Sequence, residues 1–250
     1  MLPAPSKTKI GVYLVYRIAD YAKINSGLKG GAGSMHMRTL RRKSKLAALI
    51  LSVVLVLSTW TVPLVAAEVP LEADSAILLE ASTGKILFEN NSHKAQAPAS
   101  VTKLMTLVVA FEAIEAGKGS LMDKVAASEN AWRLGGSQIY LEPGEEMTLE
   151  ELLIAVAVGS ANDACVAVAE HLYGTHEEFV EAMNQRVKDM GLTDTHFVNS
   201  YGLPAEGHYS SPYDMAQIGR VALEYPKLME LVAIKEYDLR GGEFHLYNTN

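Results

Sequence analysis

Ser100-Val101-Thr102-Lys103 sets a hydroxyl and an amine three positions apart. On a helix, positions i and i+3 share one face, so the Lys103 amine can reach the Ser100 hydroxyl and serve as its base. That role turns on a proton. A lysine with a reference pKa of about 10.4 is neutral in only about one molecule in 2,500 at pH 7. Burial disfavours the ammonium form, and the apolar run containing Leu104 and Leu107 is the environment to supply it. The field of a helix amino terminus would also favour an oxyanion formed beside Ser100. The same spacing recurs at Ser6/Lys9, Ser26/Lys29 and Ser82/Lys85. The first two precede an expected export signal and the third falls in a hairpin turn, so only Ser100 is expected to open a buried helix. A capping serine with a snorkelling lysine satisfies the pattern equally well.

A second triplet, Ser160-Ala161-Asn162, offers a hydroxyl for proton relay and an amide that can bond a substrate peptide group. Helix capping by either residue is the alternative. Ser128-Glu129-Asn130 repeats the spacing, but in a polar stretch with no buried helix before it. The seven histidines (His36, His93, His171, His176, His196, His208, His245) show no metal-ligand spacing, so neither a metal nor another cofactor is expected. His208 either lines a cleft or orders its loop. Gly135-Gly136 is too short for a phosphate loop, and the single Cys165 excludes an intrachain disulfide and a Cys-rich zinc site.

The elements that must position these residues follow from local patterns. Ser75 to Leu79 and Lys85 to Phe88, joined by Ala81-Ser82-Thr83-Gly84, read as a β-hairpin. Ser100 to Ala116 is apolar on all sides, as in a helix buried at the centre of a protein, and stops at Gly117. Thr148-Leu149-Glu150-Glu151 is a capping box opening a helix to Val158, and Thr175-His176-Glu177-Glu178 repeats it for a helix ending near Gly191. Between them Gly159 to Asn162 breaks the helix, which resumes from Asp163 to Tyr173. Ser211-Pro212-Tyr213-Asp214 caps another, with proline where its missing amide costs nothing. Ala233 to Leu239 and Glu243 to Tyr247 read as a second hairpin across Gly241-Gly242.

The charge is distributed unevenly. Residues 1 to 67 hold ten Lys/Arg and one acid, leaving 12 basic and 28 acidic residues, net -16, in the remainder. Such an acidic body does not suit nucleic acid as a partner. Arg38 to Lys45 is basic, Leu46 to Leu57 almost unbroken apolar, and Val65-Ala66-Ala67 a small-residue cleavage site, together a secretory signal. The apolar run is shorter than the roughly 20 residues that span a bilayer; extension through Trp60 to Val65 would make it an uncleaved anchor. The expected organisation is 1–34 as an extension preceding a true start at Met35 or Met37, 35–67 as signal peptide, and 68–250 as one exported domain.

The chain resembles the low-molecular-mass penicillin-binding proteins that are serine D-Ala-D-Ala carboxypeptidases. The likeness is carried by Ala76 to Glu80 with Thr83-Gly84-Lys85, by Pro98-Ala99-Ser100-Val101-Thr102-Lys103-Leu104-Met105-Thr106, by Gly135-Gly136-Ser137 and by Ser160-Ala161-Asn162-Asp163. It continues through Phe197-Val198-Asn199, Gly202-Leu203 and His208-Tyr209-Ser210. The resemblance implies Ser100 as nucleophile, Lys103 as base, and Ser160 and Asn162 shaping the cleft. It implies a β-lactamase/transpeptidase-like α/β (α+β) fold, a helical cluster beside a central antiparallel sheet. The implied partners are a peptidoglycan peptide ending in D-Ala-D-Ala and acylating β-lactams, with peripheral membrane association through a carboxy-terminal segment.

One departure is large. The family's Lys-Thr-Gly strand motif, which recognises the substrate carboxylate and completes the oxyanion hole, has no counterpart after Asn162. In the family it follows a stretch resembling Tyr247-Asn248-Thr249-Asn250, so an incomplete sequence is expected, one that lacks the substrate anchor and part of the oxyanion hole. A class A β-lactamase shares the first two motifs but needs a deacylating Glu, and no Glu-x-x-Leu-Asn follows Ser160. A non-catalytic penicillin-binding sensor or scaffold would keep the fold without turnover.

Overall fold

The computed structural model describes residues 72–248 and, as backbone, the strand β1 (Ile10–Val15). The expected signal segment 35–67 lies outside the described residues. So does all of the expected 1–34 extension except β1.

β2 (Ser75–Glu80) and β3 (Ile86–Asn90) pair antiparallel as the alternation of apolar residues predicts, and β1 pairs with β2 in parallel. The described sheet that holds this hairpin is therefore three-stranded, with one parallel and one antiparallel pairing. The hairpin turn is closed by the Glu80 carboxylate, which accepts from the backbone N–H of Ser82 (3.1 Å) and of Thr83 (2.7 Å). The Thr83 and Ser82 hydroxyls, which also donate to it, together with these two amides hold the Glu80 carboxyl down to about 2.

The helical body is built around three helices: α1 (Lys103–Glu115), α3 (Leu149–Gly159) and α4 (Asn162–Tyr173). Before α3 lies the short α2 (Glu129–Trp132), and the pair β4 (Lys124–Ala126) and β5 (Glu146–Thr148) brackets the loop that includes it. α1 packs on both α3 and α4, and Met105, Val108, Leu152, Leu153 and Val168 meet in one core with no more than 1% of their surface exposed. Burial of this kind stabilises by about 25 cal/mol per Å² of apolar area. α5 (His176–Asp189), α6 (Pro212–Ala222) and α7 (Pro226–Val232) complete the cluster, and β6 (Glu236–Leu239) with β7 (Phe244–Tyr247) forms the second hairpin. Four elements, β4, β5, α2 and α7, carry no signal long enough to be read from periodicity.

Cap chemistry sets the helix starts. The Thr148 hydroxyl accepts from Glu151 N–H and the Glu151 carboxylate accepts from Thr148 N–H, the full reciprocal box. Thr175 makes only half of one: its hydroxyl accepts from Glu178 N–H, but the Glu178 carboxylate takes the Thr175 hydroxyl and not its amide. Ser211 caps α6 through Asp214 N–H with Pro212 at the first position.

Candidate active site

Ser100 does not open the α-helix. It lies in a 3-10 turn, Ala99–Thr102, that leads into α1 at Lys103, and Ala99 before it takes a left-handed φ of 49°. A non-glycine residue there costs roughly 1–2 kcal/mol, so surrounding contacts must hold it. One of them is the turn at Gly202, whose φ of 91° lets bare backbone approach Ala99: a Cβ added there would sit 1.9 Å from the Ala99 carbonyl oxygen. Another is His208. Its Nδ1 accepts from Val198 N–H at 3.0 Å, so the proton is on Nε2, which donates to the Thr102 hydroxyl at 3.0 Å. Burial pushes His208 down to about 4, keeping it neutral. The loop-ordering reading of this histidine is the one the structure supports.

The 3-10 turn leaves the Ser100 side exposed and Lys103 buried, at 4% exposure. Lys103 Nζ meets three acceptors: Asn162 Oδ1 at 2.7 Å, the Tyr201 carbonyl at 2.7 Å and Ser100 Oγ at 3.4 Å. Burial drives the Lys103 pKa below the usual lysine range. Cys165 is fully buried and pushed up to about 12, so it remains a neutral thiol, donating to the Ala161 carbonyl at 3.2 Å.

Asn162 opens α4 and is fixed on every side. Its N–H donates to Ser137 O (2.8 Å) and its amide nitrogen to Gly135 O (2.7 Å), while Gly136 between them has a φ of 83° and no room for a Cβ, which would lie 2.7 Å from that nitrogen. The adjacent Asp163 carboxylate accepts from Ile139 N–H and Leu141 N–H, each at 3.1 Å, and so fixes the far end of the same loop. Ser160 links α3 to α4 in a left-handed conformation, φ 54°, and its hydroxyl is buried with no hydrogen-bond partner among the described residues. A buried unsatisfied hydroxyl in strained backbone marks a functional candidate.

The structure thus joins Ser100, Lys103 and Asn162 in one hydrogen-bonded set, and leaves Ser160 unbonded to them. The decoys fall elsewhere. Ser82 donates to Glu80 in the β2–β3 turn while Lys85 is solvent-exposed. Ser128 caps α2 through Ala131 N–H, and Asn130 donates to Glu170. Sequence reasoning assigned no role to Asp163, Asn199 or the Tyr201 carbonyl. The Asn199 side chain accepts from Tyr201 N–H (3.2 Å) and Gly202 N–H (2.6 Å), an Asx turn that the Asn-x-x-Gly spacing could have flagged.

Solved structures place this arrangement in a class. Penicillin-binding protein 5 from Haemophilus influenzae aligns at TM-score 0.67 and 34% identity, covering 70% of this chain and 52% of that one. Penicillin-binding protein D2 from Listeria monocytogenes, solved with ampicillin bound, aligns at TM-score 0.64 and 26% identity, covering 73% and 74%. The fold is the penicillin-binding, transpeptidase-like one. The family model described as D-alanyl-D-alanine carboxypeptidase matches residues 63–250, and the chain belongs to that family. The carboxypeptidase DacF of Bacillus subtilis is 48% identical over 186 residues, 73% of this chain and 48% of that protein. The chain spans about half the length of the curated relatives it matches.

Proposed function

We propose that this chain carries the acylating half of a serine D-Ala-D-Ala carboxypeptidase that trims the terminal D-alanine from peptidoglycan pentapeptides. The observation that carries the reading is the setting of Lys103 Nζ. A neutral amine has two N–H donors and one lone pair. Asn162 Oδ1 and the Tyr201 carbonyl, both at 2.7 Å, take the two donors, which leaves the lone pair for the Ser100 hydroxyl at 3.4 Å.

In this reading Ser100 Oγ attacks the carbonyl carbon between the two D-alanines as its proton passes to Lys103. The tetrahedral intermediate collapses, the C–N bond breaks, and the proton passes from Lys103 to the leaving D-alanine amine, a transfer in which the unpartnered Ser160 hydroxyl is read as the relay. Water then hydrolyses the Ser100 ester. Asn162 orients Lys103 through Oδ1 and has the second N–H of its amide left for the substrate peptide. A β-lactam carbonyl enters the same step and stays as the acyl group. Release of D-alanine from a pentapeptide by the full-length protein tests the proposal: turnover is expected, and a stoichiometric acyl adduct without turnover would assign a sensor instead.

The same proposal places the protein outside the cytoplasm, with residues 35–67 as a cleaved signal. The support is the basic, apolar and small-residue succession ending at Ala67. Mass analysis of the exported form is expected to give Glu68 as the first residue. A start displaced by more than a few residues would contradict the cleavage site.

A further inference from the structure

We propose that His176 is a positioning residue for Lys103, acting through the Ser200–Gly202 turn whose Tyr201 carbonyl accepts from the lysine. His176 is the first residue of α5, and its Nε2 faces Ser200, with the Ser200 hydroxyl at 3.0 Å and the Ser200 backbone N–H at 3.3 Å. An amide N–H can only donate, so Nε2 is the bare nitrogen and the proton resides on Nδ1. The same ring stacks on Tyr201 at 5.5 Å and 15°. His176 therefore grips both residues that flank the Ser200–Tyr201 peptide, one residue before the carbonyl that receives Lys103 Nζ at 2.7 Å.

The turn has other anchors, each from a different direction. Thr106 of α1 donates to Ser200 O at 2.5 Å, and Asn199 closes the turn on itself through Tyr201 and Gly202 N–H. His176 is the anchor from α5, and its ring stacks on a Tyr201 side chain that also packs against the core. It can serve only while neutral, because an imidazolium would set N–H against N–H at Ser200. Burial lowers its pKa, opposed by Glu177 on its own helix and Glu170 on α4, with the Tyr201 phenol on the remaining face.

The catalytic consequence rests on Lys103 being the base; the positioning itself does not, and can be read from Lys103 directly. With 13C at lysine Cε, the Lys103 resonance is followed by NMR from about pH 4 to about pH 11 in wild type, His176→Phe and His176→Gln. Phenylalanine keeps a stacking ring but cannot accept; the glutamine carbonyl can. Loss of a well-placed acceptor destabilises the ammonium, so Lys103 is expected to titrate lower in His176→Phe, by up to about one unit, and to return in His176→Gln. In wild type the Lys103 resonance is expected to show a second inflection that coincides with the His176 imidazole titration. A Lys103 titration unchanged in a folded His176→Phe protein overturns the proposal. If that variant does not fold, an absent inflection in wild type overturns it. Penicillin acylation measured above the Lys103 titration, where the neutral fraction no longer differs between the forms, is expected to fall about tenfold in His176→Phe through loss of the base's position and to recover in His176→Gln. Should no form of the protein acylate while Lys103 still shifts, the enzymatic reading fails and the positioning stands.

Discussion

Lys103→Arg is expected to lose penicillin acylation by two to four orders of magnitude, the range for removing a general base. Arginine keeps a positive charge and more hydrogen-bond donors, so it could still serve Asn162 and the Tyr201 carbonyl. What it cannot do is give up its proton at any working pH. The sign of the pH dependence follows from the environment. Burial lowers the Lys103 pKa, so the neutral fraction, and with it the acylation rate, rises as pH climbs through that lowered value. The arginine form should lack this rising limb. Rates within about tenfold of each other, a difference of no more than roughly 1.4 kcal/mol of barrier, would mean that Lys103 acts as a fixed charge.

Gly202→Ala is expected to cost roughly 3 kcal/mol or more, because a left-handed backbone and an overlap must both be relieved. The added Cβ would lie 1.9 Å from the Ala99 carbonyl oxygen and 3.0 Å from the Thr102 hydroxyl, and the nearer of these is backbone that cannot turn aside. For a chain of this size the melting temperature should fall by roughly 6–12 °C. Relief by movement of Ala99 would displace Ser100, so acylation should drop in whatever fraction remains folded. Gly117→Ala is the control. Gly117 has a comparable φ of 77° but open space around it, so only the conformational cost of about 1 kcal/mol applies. Equal melting temperatures for the two variants would show that the turn yields without effect on the site.

The parts of this fold that are legible in the sequence are the local ones. Thr148 and Glu151 stand three residues apart and complete their box within one turn, and Ser211-Pro212 starts α6 by the same short-range logic. Ser100, Lys103 and Asn162 were identifiable as candidates because their residue types recur at fixed spacing. The spacing could not supply the geometry between them. Lys103 meets Asn162 across 59 positions and Tyr201 across 98, and the Tyr201 acceptor is a main-chain carbonyl, which no side-chain pattern can announce. The placement of Ser100 in a 3-10 turn depends on a left-handed Ala99, a conformation that alanine does not signal and that contacts distant in sequence, the Gly202 turn and His208, hold in place. Asp163 entered only as part of the Ser160–Asp163 resemblance, without a role, for a similar reason. A carboxylate next to Asn162 reads as an ordinary helix-start acid until its acceptance from Ile139 and Leu141 shows it anchoring the loop.

The central claim is that Ser100 is the nucleophile, and mapping a covalent adduct tests it most directly. The protein is incubated with labelled penicillin, digested, and sequenced by mass spectrometry. The penicilloyl mass is expected on Ser100 alone. Ser100→Ala should abolish the label while costing no more than about 1 kcal/mol of stability. An adduct on Ser82, Ser128 or Ser160, or undiminished labelling of the alanine form, would contradict the account.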